Sequence, residues 1–508
     1  MKTDCDVVVV GLGPAGTLTS LLLSDSSIKV IGIDKEKEIY SLPRAVTIDD
    51  EGLRTLQRLN LENIYLENGT AIEGAYFLDD KLQKLSGMDV PANFLTSNGW
   101  MPNLMFHQPF TDALLREELL KSSCFIKLET ELIEIVPIEN YYIVKTLNLT
   151  DGKEDSFTAK YVVGADGASS KVRNLMEFDQ EDLDYDKNWL VVDVKLKVEN
   201  TLPTFAAQIC DPKRICTYIP AHLPFRRWEF ILLEGESKEE MLKETKIQKL
   251  ISPWLRPNEY EIIRAAVYRF HSLLTTRFKK GNCFVIGDAA HQNPPFMGQG
   301  MMSGYRDALN LSWKLISVII NSLPKELLES YEEERKPHSR FVVDGSAAIG
   351  KLMSAYAEAI AKGNPSDVPQ ELVDRGYGSF SLPPLEKGLF YKGYSDSDSM
   401  AGSLFPQPLT MEGTMCKERL DSLLGKGFCV VSTKEVELMP YQKKFYKIIN
   451  ATFLVIEKNM LNSNPWLNNA MSKNDIYILR PDHHIFGSTS DKITFEDLTE
   501  DLRERLSL

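Results

Sequence analysis

Val7-Val8-Val9-Val10-Gly11-Leu12-Gly13-Pro14-Ala15-Gly16, running on into Thr17 to Leu23, puts a β-branched run, a glycine-rich turn and a leucine-rich helical pattern in immediate succession. Four valines in a row suit a strand buried on both faces. Each glycine of the turn has its own part: Gly11 turns the chain, Gly13 lets the backbone approach a pyrophosphate, and Gly16 lets the helix pack close on the strand. A second apolar run, Ile28 to Ile33, ends at Asp34, 18 residues past Gly16, where a dinucleotide fold places the acid that bonds a ribose hydroxyl. A bare G-x-G-x-x-G is common. With a strand before it, a helix after it and the acid on schedule, it predicts the opening of an α/β dinucleotide-binding fold, without separating NAD from FAD.

The stretch Cys283 to Lys314, CFVIGDAAHQNPPFMGQGMMSGYRDALNLSWK, supplies a second half of the site. Cys283 to Ile286 suits a buried strand, Gly287 breaks it, and Asp288 stands at its carboxyl end. Pro294-Pro295 stiffens the connection, and Gly298 and Gly300 let something large approach the main chain. The helix predicted over Met301 to Val318 aims its free N–H groups at the same place. The guest that fits is flat and electron-rich.

These motifs, taken with Ser41-Leu42-Pro43-Arg44-Ala45-Val46, Gln108 and Gly164-Ala165-Asp166-Gly167, resemble those of the class A flavoprotein aromatic hydroxylases. The resemblance is close from about residue 4 to 345 and thins afterwards. It implies a Rossmann-like FAD-binding domain carrying an inserted antiparallel β-sheet substrate domain, with a C-terminal thioredoxin-like domain. The corresponding spans are 1–75, 107–180 and 278–355 for FAD, 76–106 and 181–277 for the substrate sheet, a helical linker region over 356–402, and 403–508 for the last unit. The cofactor contacts it implies are Gly11, Gly13, Pro14, Ala15, Gly16, Asp34, Lys35, Arg44, Ala45, Gln108, Asp166, Gly287, Asp288, Pro295, Gly298, Gln299, Gly300, Met301 and Met302. Arg44, Pro295, Tyr218, Arg226 and Arg227 are the expected catalytic group, and no metal is expected. Where the family usually has Asn, this chain has Met302, so a side-chain bond to the flavin ring is missing.

The wording Arg226-Arg227-Trp228-Glu229-Phe230, with Cys210-Asp211-Pro212 before it, is particularly similar to 3-(3-hydroxyphenyl)propionate hydroxylases. Trp189 to Glu199 and Thr204 to Leu233 alternate with period two, the mark of antiparallel strands with one face covered. The reaction implied is monooxygenation of a phenol beside its hydroxyl, through a flavin C4a-hydroperoxide, with non-covalent FAD, O2, and NADH or NADPH as a transient co-substrate. A carboxylated substrate would want a cation, with Arg226 or Arg227 as candidates. No second dinucleotide fingerprint occurs, so the ring is expected to move between an outward position for reduction and an inward one against Pro295 and Gly298 to Met302, with Arg44 as latch. Same-fold epoxidases and Baeyer–Villiger-type oxygenases share these motifs. A halogenase is disfavoured, since no W-x-W-x-I-P run is present. A flavin-binding sensor or partner protein without turnover is the rival of another class.

The 508 residues are 43% hydrophobic and 26% charged, ordinary for a globular protein of two to four domains. A net charge of −14 argues against nucleic acid or an anionic membrane as partner. The seven cysteines are scattered and form no C-x-x-C, which fits reduced thiols in a cytoplasm and a C-terminal unit without thiol exchange. That unit would cover or assemble subunits; a homodimer is one assembly it allows. No apolar stretch is long enough for a membrane span. Tyr377 to Ser403 reads as linker, Gly427 to Ser432 and Ile476 to Ile485 as strands, and the pair His483-His484 as surface.

Overall fold

The computed structural model describes residues 3–199, 202–378, 382–391, 393, 400–412 and 415–508. Its first sheet is built on Cys5–Val10, whose Val7, Val8 and Val9 are wholly buried. Burying each such side chain contributes about 1.5–3 kcal/mol, which explains why the valine run occupies the middle of the sheet. Cys5–Val10 pairs in parallel with Val30–Ile33 on one side and Glu154–Gly164 on the other. Cys283–Val285 extends the sheet beyond Glu154–Gly164, and Phe125–Lys127 extends it beyond Val30–Ile33. The helix Pro14–Asp25 makes the crossover between the first two strands and packs on the helix Gly300–Ile319.

A second sheet has eight strands in the spatial order His291–Gln292, Tyr260–Thr275, Gln180–Leu196, Phe225–Ile231, Cys216–Ile219, Ala206–Ile209, Gly74–Leu78 and Lys84–Asp89. It is antiparallel except where Ala206–Ile209 runs parallel to Gly74–Leu78. Its longest pairing, Gln180–Leu196 with Tyr260–Thr275, uses a 16-residue strand that the alternation reading leaves out. The strand Asn103–Phe106 pairs with Thr47–Asp49 and so belongs with the nucleotide half, although the expected boundary puts it with the substrate sheet. Cys283–Val285 ends in the first sheet and His291–Gln292 begins in the second, so the turn between them, holding Asp288, is the seam of the two sheets.

The C-terminal unit has a four-stranded sheet in the order Thr452–Val455, Cys429–Ser432, Ile476–Leu479, Ile485–Ser488. The first pair is parallel and the others antiparallel, with Pro440–Ile448 connecting the parallel strands and Phe495–Arg505 closing the unit. It is joined to the rest through buried charges: Arg480 donates to Glu334 at 2.8 and 2.9 Å, Lys314 reaches Glu334 at 2.8 Å, and Asp482 accepts from Arg480 and from Trp313 Nε1. A cavity of about 470 Å³ lies along the join. Against expectation His483 is not on the surface: it lies buried at this join, with Nδ1 3.0 Å from Asp421. Its φ of 61° places it in a turn between two strands. Parts of the Tyr377 to Ser403 segment fall outside the described residues. Among the described residues no helix is long and apolar enough to cross a membrane, and Cys5, Cys124, Cys210, Cys216, Cys283 and Cys429 are buried free thiols.

Candidate active site

The glycine turn has the shape its sequence requires. Gly11 sits at φ 90°, and a Cβ there would stand 2.6 Å from Ala165 O; a Cβ on Gly16 would stand 1.9 Å from Gly11 O. Gly13 is different: a Cβ would meet nothing within 4 Å, so the space before the helix is open. Pro14 occupies the first turn of the helix and no side chain caps its N-terminus, which leaves N–H groups facing that space. Asp34 Oδ2 accepts from Leu12 N at 2.7 Å and Oδ1 from Glu36 N at 2.9 Å, which ties the acid to the turn and leaves lone pairs for a ribose hydroxyl. Lys35 is exposed beside Glu36.

At the seam, Gly287 and Ala289 are buried while Asp288 projects outwards between them. The protein mass around it raises its carboxyl above the ordinary range, against the pull of His291, Arg44 and His271. Behind the turn lies a buried network. Asp307 accepts from Gly287 N at 3.0 Å and from Arg335 Nε at 2.8 Å, and pairs with His291 Nε2 at 2.7 Å. Burial works against the charge on Asp307, but His291 and Arg335 outweigh it and hold the carboxyl down at about 2. These residues fix the backbone that aims Asp288. Sequence reading missed their role, although Asp307 lies in the quoted stretch three residues into the helix from Gly304.

Pro295–Met297 forms a short 3-10 turn ending at Gly298 in the left-handed region, φ 66°. Gly300–Ile319 starts there with no side-chain cap, so the N–H groups of Gly300 and Met301 face the seam. Gln299 points elsewhere: its amide donates to Asp49 at 3.1 Å and accepts from Arg306 at 2.8 Å. Met302, the departure from the family pattern, is buried, and its Sδ accepts from Asp49 N at 3.4 Å.

Two expected cofactor ligands are occupied with the backbone. Gln108 Oε1 accepts from Arg44 N and Ala45 N at 2.8 and 2.7 Å, so it shapes the 44–45 segment. Asp166 accepts from Lys171 N and Val172 N at 2.7 and 3.0 Å, capping the helix Lys171–Leu175. The Arg44 side chain is exposed, 4.4 Å above the Tyr40 ring.

The strand Phe225–Ile231 sorts the expected catalytic residues by face, because side chains alternate along a strand. Arg227 faces the nucleotide half: its guanidinium donates to Arg44 O at 2.7 Å and Pro43 O at 2.6 Å, and pairs with Asp193 at 2.7 Å. Arg264 joins the same carboxylate at 3.3 Å. Arg226 and Tyr218 are not part of this arrangement. Arg226 donates to Ala221 O and Phe225 O, and Tyr218 donates to Pro203 O at 2.8 Å. Tyr218 packs with Trp228, Phe230 and Met241 in a core on the other face of the sheet, under the helix Glu244–Ile251. The catalytic group expected from the sequence is therefore split.

Opposite that core, a second cluster brings Phe77, Tyr185, Trp189, Phe296 and Met297 together against the long helix Glu329–Ala361. Phe296 meets Trp189 edge-on at 5.2 Å and Phe270 at 6.0 Å. An apolar, aromatic wall thus adjoins Pro295 and the uncapped helix end. The open space at Gly13, the free N–H groups at two helix ends and the outward Asp288 are what a flavin dinucleotide requires.

A family model described as FAD binding domain matches residues 4–346. The chain is 30% identical over 435 residues to a "Probable NADH-specific resorcinol 4-hydroxylase" of Rhodococcus jostii (strain RHA1), covering 84% of this chain and 79% of that protein. It is 31% identical over 444 residues to a 3-(3-hydroxy-phenyl)propionate/3-hydroxycinnamic acid hydroxylase of Mycolicibacterium gilvum (strain PYR-GCK), covering 85% and 76%. In fold it matches the flavin-dependent monooxygenase PieE, solved with FAD and substrate, at a TM-score of 0.82 and 15% identity over 100% of both chains.

Proposed function

This chain belongs to the FAD binding domain family, as an FAD-dependent aromatic monooxygenase, and on that premise we propose that it uses NAD(P)H and O2 to hydroxylate a phenol beside its existing hydroxyl. The observation that carries this reading is the seam, where Asp288 and the uncapped end of Gly300–Ile319 stand next to the wall of Phe296, Met297 and Trp189. When bound, FAD supplies the activation of oxygen. The chain's own residues bind, orient and exclude water. The first turn of Pro14–Asp25 would hold the pyrophosphate, Asp34 the ribose and Asp288 the ribityl chain. The N-terminus of Gly300–Ile319 would favour negative charge on the ring. Arg227 fixes the Pro43–Arg44 backbone beside the second sheet.

For the substrate, the relatives' names offer a carboxylated phenol and an uncharged one. The cations first considered for a carboxylate are committed: Arg227 to Asp193 and two carbonyls, Arg226 to the far face. With an apolar wall, this favours an uncharged phenol of the resorcinol or 3-alkylphenol type over a phenylpropionate. The C-terminal unit reads as thioredoxin-like from its strand order, and with no C-x-x-C it would serve as a structural cover.

The test is purification followed by turnover. The protein is expected to be yellow, to release FAD on denaturation, and to yield resorcinol product heavier by one oxygen, with 3-(3-hydroxyphenyl)propionate the poorer substrate. Colourless protein that takes up no FAD would sink the whole reading. A strong preference for the phenylpropionate would sink only the substrate assignment.

A further inference from the structure

We infer that Glu229 is the residue that takes the phenolic proton from the substrate. This rests on the hydroxylase reading above and names a group that reading leaves open. Gln208, Thr217, Glu229, Val191 and Ala266 are register partners across five strands, so they stand in one row on one face of the sheet. Two residues along the strand in one direction, Arg227 grips the oxygens of Pro43 and Arg44. Two residues in the other, Ile231 packs into the cluster of Trp189, Tyr185 and Phe296. Glu229 therefore lies between the 43–44 segment and the Pro295–Met297 turn, on the face that looks at the seam.

Its side chain is 2% exposed, and among the described residues its Oε2 has no hydrogen-bond partner. The nearest cation, Arg227, is 3.9 Å from Oε1 and is already held by Asp193 and two carbonyls. A buried carboxylate oxygen with no donor is costly, and a phenolic O–H brought to this face of the sheet would satisfy it. The other charged and titratable groups around it are Asp193, Arg264, Tyr185 and Cys216. Burial raises the carboxyl to about 7; Arg227 and Arg264 oppose the rise and Asp193 adds to it. A base in that range can both accept and return a proton near neutral pH.

The step balances without an oxidant. The phenolic O–H bond breaks, its electron pair stays on oxygen, and the proton goes to Oε2. The resulting phenolate is richer in electrons at its ortho and para carbons. When the hydroxylated ring rearomatises, the carbon that gained oxygen loses its proton and the original oxygen recovers one from Oε2, restoring the carboxylate.

The test uses Glu229→Gln and Glu229→Asp holoenzymes, with two readouts. The first is kcat/KM for resorcinol across about pH 5 to 9. Wild type should rise through a limb near neutrality; Glu229→Gln should lose that limb and fall at least about 100-fold, and Glu229→Asp should recover part of both. The second is the visible titration of bound 4-nitrophenol, whose apparent pKa should fall by at least about one unit in Glu229→Gln, because the carboxylate of the wild type opposes a second negative charge beside it. If Glu229→Gln does not retain flavin, Glu229→Asp carries both readouts, with a smaller loss and a displaced limb expected. Activity within about threefold of wild type at every pH, an unmoved titration, or no binding of the probe by wild type would each overturn the assignment. If wild type hydroxylates no phenol while the titration still moves, the hydroxylase reading falls and the proton-acceptor assignment stands. If wild type hydroxylates resorcinol and neither readout moves, the reverse holds.

Discussion

Around Arg480, where the C-terminal unit meets the nucleotide half, both oxygens of Glu334 and both of Asp482 accept hydrogen bonds, and the two acids face two cations, Arg480 and Lys314. In the second sheet, Glu229 is as deeply buried but keeps an oxygen without a partner among the described residues. Both are buried carboxylates, yet their surroundings push them in opposite directions. Arg480 and Lys314 overcome burial and hold Glu334 at about 2, whereas burial wins at Glu229 and lifts it to about 7. A complete set of partners makes a joint; an incomplete one leaves a group free to bind or to exchange a proton.

The largest effect is expected at the joint. Arg480→Met removes the cation that Glu334 and Asp482 share and should cost about 3–5 kcal/mol, because it leaves buried carboxylates uncompensated. Chemical denaturation would check this; a loss under about 1 kcal/mol would erase the contrast between the two regions.

Glu229→Gln should act the other way on stability. Its folded pKa of about 7 lies above the ordinary 4.5, so the folded state holds a proton that the unfolded chain gives up. Stability is therefore lost as pH rises from the lower value to the higher. At pH 8 the glutamine variant should be more stable than wild type by up to about 3 kcal/mol, and near pH 4 the gain should vanish. Equal melting temperatures at both pH values would show that the carboxyl has a partner in solution.

A smaller effect is expected from Asp307, which resembles Glu334 rather than Glu229. Its folded pKa of about 2 lies below the ordinary 3.8, so its stabilisation is present above that value and is lost as pH falls through the lower one. Asp307→Asn should remove about 2 kcal/mol of stability at neutral pH and flatten the acid limb of an unfolding curve between about pH 4 and 2. It should also loosen flavin, since Asp307 holds Gly287 N beneath Asp288.

The smallest effect is reserved for the far face. Tyr218→Phe loses one hydrogen bond to Pro203 O, worth about 1 kcal/mol, and should leave turnover unchanged. A large fall in kcat would restore Tyr218 to the site and overturn the division of the sheet by face.

What was legible in the chain was local. Gly11, Gly13 and Gly16 have spacings set by a single turn, and Asp288 follows an apolar run of four residues, Cys283 to Ile286, that announces it. The strand Tyr260–Thr275 was missed because its central residues, from Arg264 to His271, mix charge with apolar side chains on both faces, so no alternation shows until its partner Gln180–Leu196 is in place. His483 read as surface because two adjacent histidines on a strand cannot face one ion; it is buried because another part of the chain, at Asp421, folds against it. Gln108 and Asp166 were expected as cofactor contacts, and their side chains accept from backbone N–H groups of residues 44–45 and 171–172, partners that the sequence does not announce.

Turns, caps and short strands are governed by contacts within a few residues, so the sequence by itself determined the nucleotide half, its acid and its glycines. Alternation puts neighbours such as Arg226 and Arg227 on opposite faces of a strand, although the sequence reading kept both in one catalytic group. It could not tell which face meets the 43–44 segment, since that depends on which strands lie beside Phe225–Ile231 and on the Pro43–Arg44 carbonyls arriving from some 180 residues away. The same long-range packing supplied partners for Glu334 and withheld one from Glu229, and burial turns that difference into chemistry because a low-dielectric interior magnifies every missing charge.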